Sequence, residues 1–167
     1  MKQFTRVLRS SALALVVGMA AGQAFAASPR AFVEDASASG LAEIQNGELA
    51  VQKSQSADVK KFAQMMIDDH RAANQELMEL ADKLKLPPSD DAAITDRVKK
   101  LILEYREGSF DKAYANNQVD AHEEAVELFR EQSENNDVPD LQDYARKTLP
   151  KLEAHLEQAK LLQAAHP

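Results

Sequence analysis

The chain has 167 residues, 44% of them apolar and 28% charged, enough for one domain whose core can fold alone and too few for a second. It contains no Cys, which excludes disulfide scaffolds, iron–sulfur clusters, thiolate zinc sites, cysteine nucleophiles and attachment through a lipidated N-terminal Cys. A formal net charge of −7 at pH 7 makes nucleic acid and anionic lipid poor partners.

The first 26 residues read as an export signal. Lys2, Arg6 and Arg9 precede the apolar run 12–21, and the small-residue pattern Ala24-Phe25-Ala26 closes it. A membrane anchor is the alternative, but a run of about ten apolar residues is half of what a bilayer span needs. Cleavage after Ala26 leaves 17 Lys and Arg against 27 Asp and Glu, a net charge of −10. These features predict a periplasmic or secreted acidic protein, with residues 27–167 as a single domain and no membrane span after the signal.

Breakers then organise the chain. After the signal, glycine stands only at 40, 47 and 108, and proline at 29, 87, 88, 139, 150 and 167. Ser28 followed by Pro29 caps and opens a first helix over about 29–54. Ser56, with Asp58 in the first turn, opens a second that runs to about Leu84 and stops at Pro87-Pro88. Its inward stripe is Val59, Phe62, Ala63, Met66, His70, Ala73, Leu77, Leu80, Ala81 and Leu84, repeating at i, i+3, i+4 and i+7 and including a histidine.

Ser89 to about Arg106 predicts a shorter helix with Ile94, Val98, Leu101, Ile102 and Tyr105 on one side, ended by Gly108. Ser109 caps a further helix over about 110–135, with Phe110, Tyr114, Ala121, Ala125, Val126, Leu128 and Phe129 inward. Asn135-Asn136-Asp137 turns the chain into a last helix from about Pro139, with Leu141, Ala145, Thr148, Leu152, Leu156, Ala159 and Leu162 inward. That stripe keeps its phase across Pro150, which favours one kinked helix over two, 138–148 and 150–165. No window alternates as a strand does.

The first and last connections between long helices are a few residues each, so both pairs form antiparallel hairpins, and the hairpins are joined by about 22 residues carrying the short helix. The fold predicted is all-α: a ferritin-like four-helix bundle of two antiparallel hairpins with a long crossover.

Three of the four His fall on inward arcs of different helices: His70, His122 and His155. His166, beside the terminus, is expected to fray. On the first helix, Glu43 lies on the narrow stripe Ala36, Gly40, Glu43, Gly47, Ala50, whose small side chains leave room for a carboxylate. Glu48, in line with Leu41, Ile44 and Val51, competes for the inward position. Counted from the helix starts, Glu43 stands about 14 residues in, His70 and His122 about 13, and His155 about 16, so all four fall near mid-helix and share one layer whichever way each helix runs.

A lone buried His is ordinarily a core residue with a hydrogen-bond partner. Three in one layer must stay neutral or find acceptors, and a divalent ion satisfies them together. One metal ion held by Glu43, His70, His122 and His155 is therefore predicted. The donor set suits Zn(II), Fe(II), Mn(II) or Cu(II), and Met66, one turn before His70, leaves Cu(I) open. A di-iron oxidase is disfavoured, because ferritin-like centres use Glu-x-x-His and here Ile67, Val119 and Leu152 stand three residues before the histidines.

Asp68, Asp69, Asp120, Glu123 and Glu153 point elsewhere around their helices; Asp69 and Glu153 are expected in solvent or, at most, in outer contact with a ligand. Glu123, Glu124, Glu127, Glu131 and Glu134 form a solvated face, with docking of a cationic partner as the lesser reading. Met65, Met66 and Met78 read as core filler. The sequence has no glycine-rich phosphate loop, no G-x-S-x-G and no supported Ser/His/Asp set. The competing functional class is a metal-free structural or interaction protein of the cell envelope. A third is a bundle that responds to acid through its histidines.

Several motifs stand in order along the chain: Phe32 through Gly40-Leu41-Ala42-Glu43 and Gly47-Glu48-Leu49-Ala50; Val59-Lys60-Lys61-Phe62-Ala63 running to Met66-Ile67-Asp68-Asp69-His70; Asp120-Ala121-His122-Glu123 to Leu128-Phe129; and Thr148-Leu149-Pro150 followed by His155-Leu156. Through them the chain resembles the bacterial exported domain-of-unknown-function 4142 family from Phe32 to Leu162. The resemblance implies the ferritin-like bundle and an envelope location, sets the three His at motif positions, and favours Glu43 over Glu48. It implies no activity.

Overall fold

Ser28 and Pro29 start the first helix as their chemistry dictates: the Ser28 hydroxyl accepts the Ala31 amide at 3.2 Å and proline occupies the first turn. The computed structural model describes residues 28–88, 109–135 and 137–167. Within them lie four helices and no strand: α1 Pro29–Lys53, α2 Ala57–Leu84, α3 Phe110–Glu134 and α4 Pro139–Ala165. The expected export signal and the short helix at 89–106 fall outside the described residues.

The turn between α1 and α2 is tied by Ser54, whose buried hydroxyl accepts the Ser56 amide at 3.0 Å. At the start of α2 the Asp58 side chain, not that of Ser56, accepts a backbone amide, that of Val59 at 2.9 Å, while the Ser56 hydroxyl bonds the Asp58 carboxylate. Lys85 closes α2 in the left-handed conformation, φ 56°, which lets the Leu86 amide reach the Ala81 carbonyl at 2.9 Å. α4 runs unbroken through Pro150, so the two-helix alternative is set aside. Among the described residues no helix is long and apolar enough to cross a membrane.

Cross-helix pairs fix the directions. Between α2 and α4, Lys83–Asp140 at 2.7 Å, Lys147–Glu76 at 2.8 Å, Lys151–Asp69 at 2.7 Å and His166–Asp58 at 3.1 Å follow one another in antiparallel register. Between α3 and α4, Arg130–Glu153 and Gln163–Asn116 do the same. Between α1 and α3, Phe32 meets Phe129 and Asn46 meets Asn117. α2 and α3 therefore run parallel, so the chain leaves α2 at one end of the bundle and enters α3 at the other. α1 packs on α2 and α3, and α4 on α3 and α2, which leaves α1 diagonal to α4. This is the two-hairpin crossover topology predicted.

The buried interior has two apolar clusters. One, where α1 and α3 begin and end respectively, gathers Phe32, Val33, Leu77, Ala81, Phe129, Leu141 and Tyr144; the other, at the opposite end, gathers Ala50, Val59, Phe62, Ala63, Met66, Tyr114 and Leu162. Each large side chain removed from water contributes about 1.5–3 kcal/mol. Between the clusters the buried residues turn polar: Glu43, Asn46, His70, Asn74, Asn117, Gln118, His122 and His155. Two glycines shape this middle section. A Cβ at Gly40 would overlap the Asn74 amide, and one at Gly47 would stand 2.8 Å from Ile67 Cγ1, so α1 lies close on α2 and leaves Asn74 its room.

Candidate metal centre

Three helices each send one imidazole to the bundle interior. His70 comes from α2, His122 from α3 and His155 from α4, exposed by 7%, 1% and 3%. Their ring centroids form a nearly equilateral triangle with sides of 5.5, 5.6 and 5.4 Å. One ligand atom from each lies within 4.8 Å of the others. His70 Nε2 and His122 Nε2 are 3.4 Å apart. Two nitrogens bound to a tetrahedral ion at about 2.0–2.1 Å stand about 3.4 Å apart, so this pair already has the spacing of ligands.

The outer partners decide where the protons sit. The Gln118 backbone carbonyl can only accept, and His122 Nδ1 lies 2.9 Å from it, so that nitrogen carries the hydrogen and Nε2 the inward lone pair. The Asp69 carboxylate likewise accepts from His155 Nε2 at 2.9 Å. His155 Nδ1 is then the free nitrogen, and it is buried without any partner. Lone pairs inward and N–H groups anchored outward is the arrangement that metal-ligating histidines require.

Burial keeps His70 and His155 neutral. Burial, reinforced by the neighbouring His122 and His155, pushes His70 down to about 3. Burial lowers His155 too, against its hydrogen bond to Asp69, which favours the charged form. Burial raises the Asp69 carboxyl, but hydrogen bonds from Lys151 and His155 outweigh that and hold it below the usual carboxylate range. At neutral pH His70 and His155 are therefore unprotonated beside an ionised Asp69 carboxylate.

Glu43, not Glu48, is the glutamate that α1 buries: it is 3% exposed, whereas Glu48 faces solvent 3.4 Å from Arg71. Glu43 does not join the three-histidine group. Its Oε2 accepts from Gln118 Nε2 at 2.6 Å, and Gln118 in turn holds His122 through its backbone carbonyl. The register explains the offset. Phe32 opposite Phe129 and Glu43 beside Gln118 set Ser39, one turn before Glu43, opposite His122. Counting from helix starts misses by four residues, about 6 Å along the axis.

Five buried amides escape the stripe reading, namely Asn46, Asn74, Asn117, Gln118 and Gln132. A signal for two of them exists in the sequence: Gln118 stands four residues before His122 and Asn74 four after His70, on the same helical faces. Asp69 is the outer contact that was one of its two expected roles, while Glu153 sits at the surface with Arg130 at 3.1 Å. Met66 is fully buried in the apolar cluster with Phe62 and Leu162. Glu123, Glu124, Glu127, Glu131 and Glu134 all face solvent. His166, expected to fray, is partly buried and bonds Asp58, because α4 extends to Ala165.

Beside the triad is a cavity of about 30 Å³ to which all four helices contribute, including Ala36 and Gly40 of α1, His70 and Asn74 of α2, Ala125 of α3, and Leu152 and His155 of α4. Neither the curated proteins nor the solved structures include a match to this chain. A protein-family model, described as a domain of unknown function (DUF4142), matches residues 14–162. That match spans most of the chain and takes in the triad and its outer partners, and the chain belongs to the DUF4142 family.

Proposed function

We propose that this chain is exported to the periplasm or beyond and holds one divalent transition-metal ion between His70, His122 and His155, in a sequestration, sensing or envelope-stress role. The observation that carries the reading is the buried His155 Nδ1, left without a partner next to two further imidazoles whose accessible nitrogens stand at ligand spacing. A buried polar atom with no partner costs about 1–3 kcal/mol, and an ion bound by His155 Nδ1 removes that cost. A nitrogen-only donor set favours Zn(II), Cu(II) or Fe(II) over Mn(II), which prefers carboxylate oxygen. Asp69 and Gln118 orient the ligands, and Glu43 acts through Gln118.

Elemental analysis of the protein purified from the periplasm, without chelator or affinity-tag metal, tests this with His122→Ala alongside. The expected result is near-stoichiometric metal in the natural chain and none in the variant. No metal, persisting after reconstitution with Zn(II), Cu(II), Fe(II) and Mn(II), overturns the reading and leaves a metal-free interaction protein. Export is tested by intact mass: a mature chain beginning at Ala27 is expected.

A further inference from the structure

We propose that the fourth coordination position of this centre is open and is reserved for an exogenous ligand of one to three heavy atoms, in the class of water, dioxygen, peroxide or nitric oxide. The inference rests on the metal reading above and concerns what the bound ion can reach. Three helices supply an imidazole each, and the fourth adds no donor to the group: Gly40, which lines the adjoining cavity, has no side chain, and the Asn74 amide stands where its Cβ would be. The next inward residue along α1, Glu43, is engaged by Gln118 at 2.6 Å and stands outside the ligand group. A metal with four protein ligands is closed, whereas three leave a position for chemistry or for an exogenous ligand.

What lies beside that position sets the ligand size. The cavity has a volume of about 30 Å³, and both His70 and His155 form part of its wall. A water molecule needs roughly 10–15 Å³ of such space, so one or two water-sized groups fit and a ring does not. Ala36, Ala125 and Leu152 make much of the lining apolar, which suits a small weakly polar molecule, while the Asn74 amide and the Thr148 hydroxyl supply hydrogen-bonding groups. Asp69 lines this cavity and also the wide groove between α2 and α4, so the carboxylate that holds His155 stands between the two.

The test loads the purified protein with Co(II) and follows its visible absorption during titration with azide and, separately, imidazole. The expected result is a saturable change of the cobalt bands with azide and none with imidazole. Ala125→Val, which narrows the cavity, is expected to keep the cobalt bands and weaken azide binding at least tenfold. Three results overturn the proposal: cobalt bands indifferent to azide, azide and imidazole binding alike, or an azide response that appears only in Glu43→Gln, which would show the Glu43 carboxylate filling the fourth position. Failure of the metal reading itself gives a different result, no cobalt bands at all, and removes both.

Discussion

Where α1 begins, Phe32 packs edge to face on Phe129 and Tyr144, and the three ring centroids stand 5.2 to 6.4 Å apart, over Leu77 and Leu141 that are closed to solvent. Two turns along the bundle the same interior holds three imidazoles, a carboxylate and amides, several of them incompletely bonded: Asn46 Oδ1, Gln118 Oε1 and His155 Nδ1 have no partner. The ends follow the rule for a core that only has to be stable, because each apolar side chain contributes on burial. The waist works against it, since every orphaned polar atom costs about 1–3 kcal/mol. A chain whose ends are this well packed can carry an expensive waist, and sequence-level rules break at sites kept for function.

The largest effect expected separates the two regions directly. Phe32→Ala removes a fully buried ring and is expected to lower stability by about 3–5 kcal/mol, read from the denaturant midpoint. His122→Leu, of similar size, is expected to leave the metal-free protein as stable or more so, because replacing buried polar groups by apolar ones is often neutral or better, while abolishing metal binding. A loss at His122 as large as that at Phe32 would show that the waist is structural.

Next comes acid. The folded-state value of His70 is depressed to about 3 from an ordinary 6.5, so between those limits the unfolded chain takes up a proton that the folded chain refuses. Stability of the metal-free protein is therefore full above pH 6.5 and falls as the pH drops toward 3, by on the order of a few kcal/mol. His155 is lowered as well and adds to the loss with the same sign. Of the other charged groups facing the triad, Lys151 strengthens the depression of His70 and Asp69 opposes it; the lowered Asp69 value shifts its own loss to below the usual carboxylate range. Unfolding midpoints at pH 7.5, 5.5 and 4.5 should decline steeply, and His70→Leu should flatten the decline.

Most of the ends was legible in the sequence, and only part of the waist. Ser28-Pro29, Pro87-Pro88 and Pro139 punctuate helices whose apolar period is long and regular, so the elements and their pairing follow from local chemistry. Mid-helix counting is enough to place His70, His122 and His155 together, because those residues also continue apolar stripes. It is not enough for Glu43, because a register error of one turn exceeds the reach of a ligand and only the Phe32–Phe129 and Glu43–Gln118 contacts reveal it. The buried amides were illegible for a different reason: Asn46, Asn74, Asn117 and Gln118 are polar, and an amphipathic pattern assigns polar residues to the outside.

Asp69→Asn tests how far the waist depends on its rim. The side chain is 27% exposed and shares its carboxylate between Lys151 and His155, so losing the ion pair should alter stability by less than about 1 kcal/mol. As the group that fixes His155 with Nδ1 inward, it should weaken metal affinity roughly 10- to 100-fold, measured by competition with a chromophoric chelator. Unchanged affinity would mean that the ring is held by packing alone.

The smallest effect asks whether ends and waist are independent. Lys85 caps α2 at φ 56°, a conformation that disfavours any residue with a Cβ, and its backbone amide and that of Leu86 close the last turn on Asp82 and Ala81. Lys85→Gly removes the steric cost but frees the unfolded chain, for a net gain of about 1 kcal/mol or less. Distant sites with no shared partners add, so the metal dissociation constant should not move. If affinity rises with the stability of that end, the packing of the apolar clusters reaches the histidines, and the division between a stabilising end and a binding waist fails.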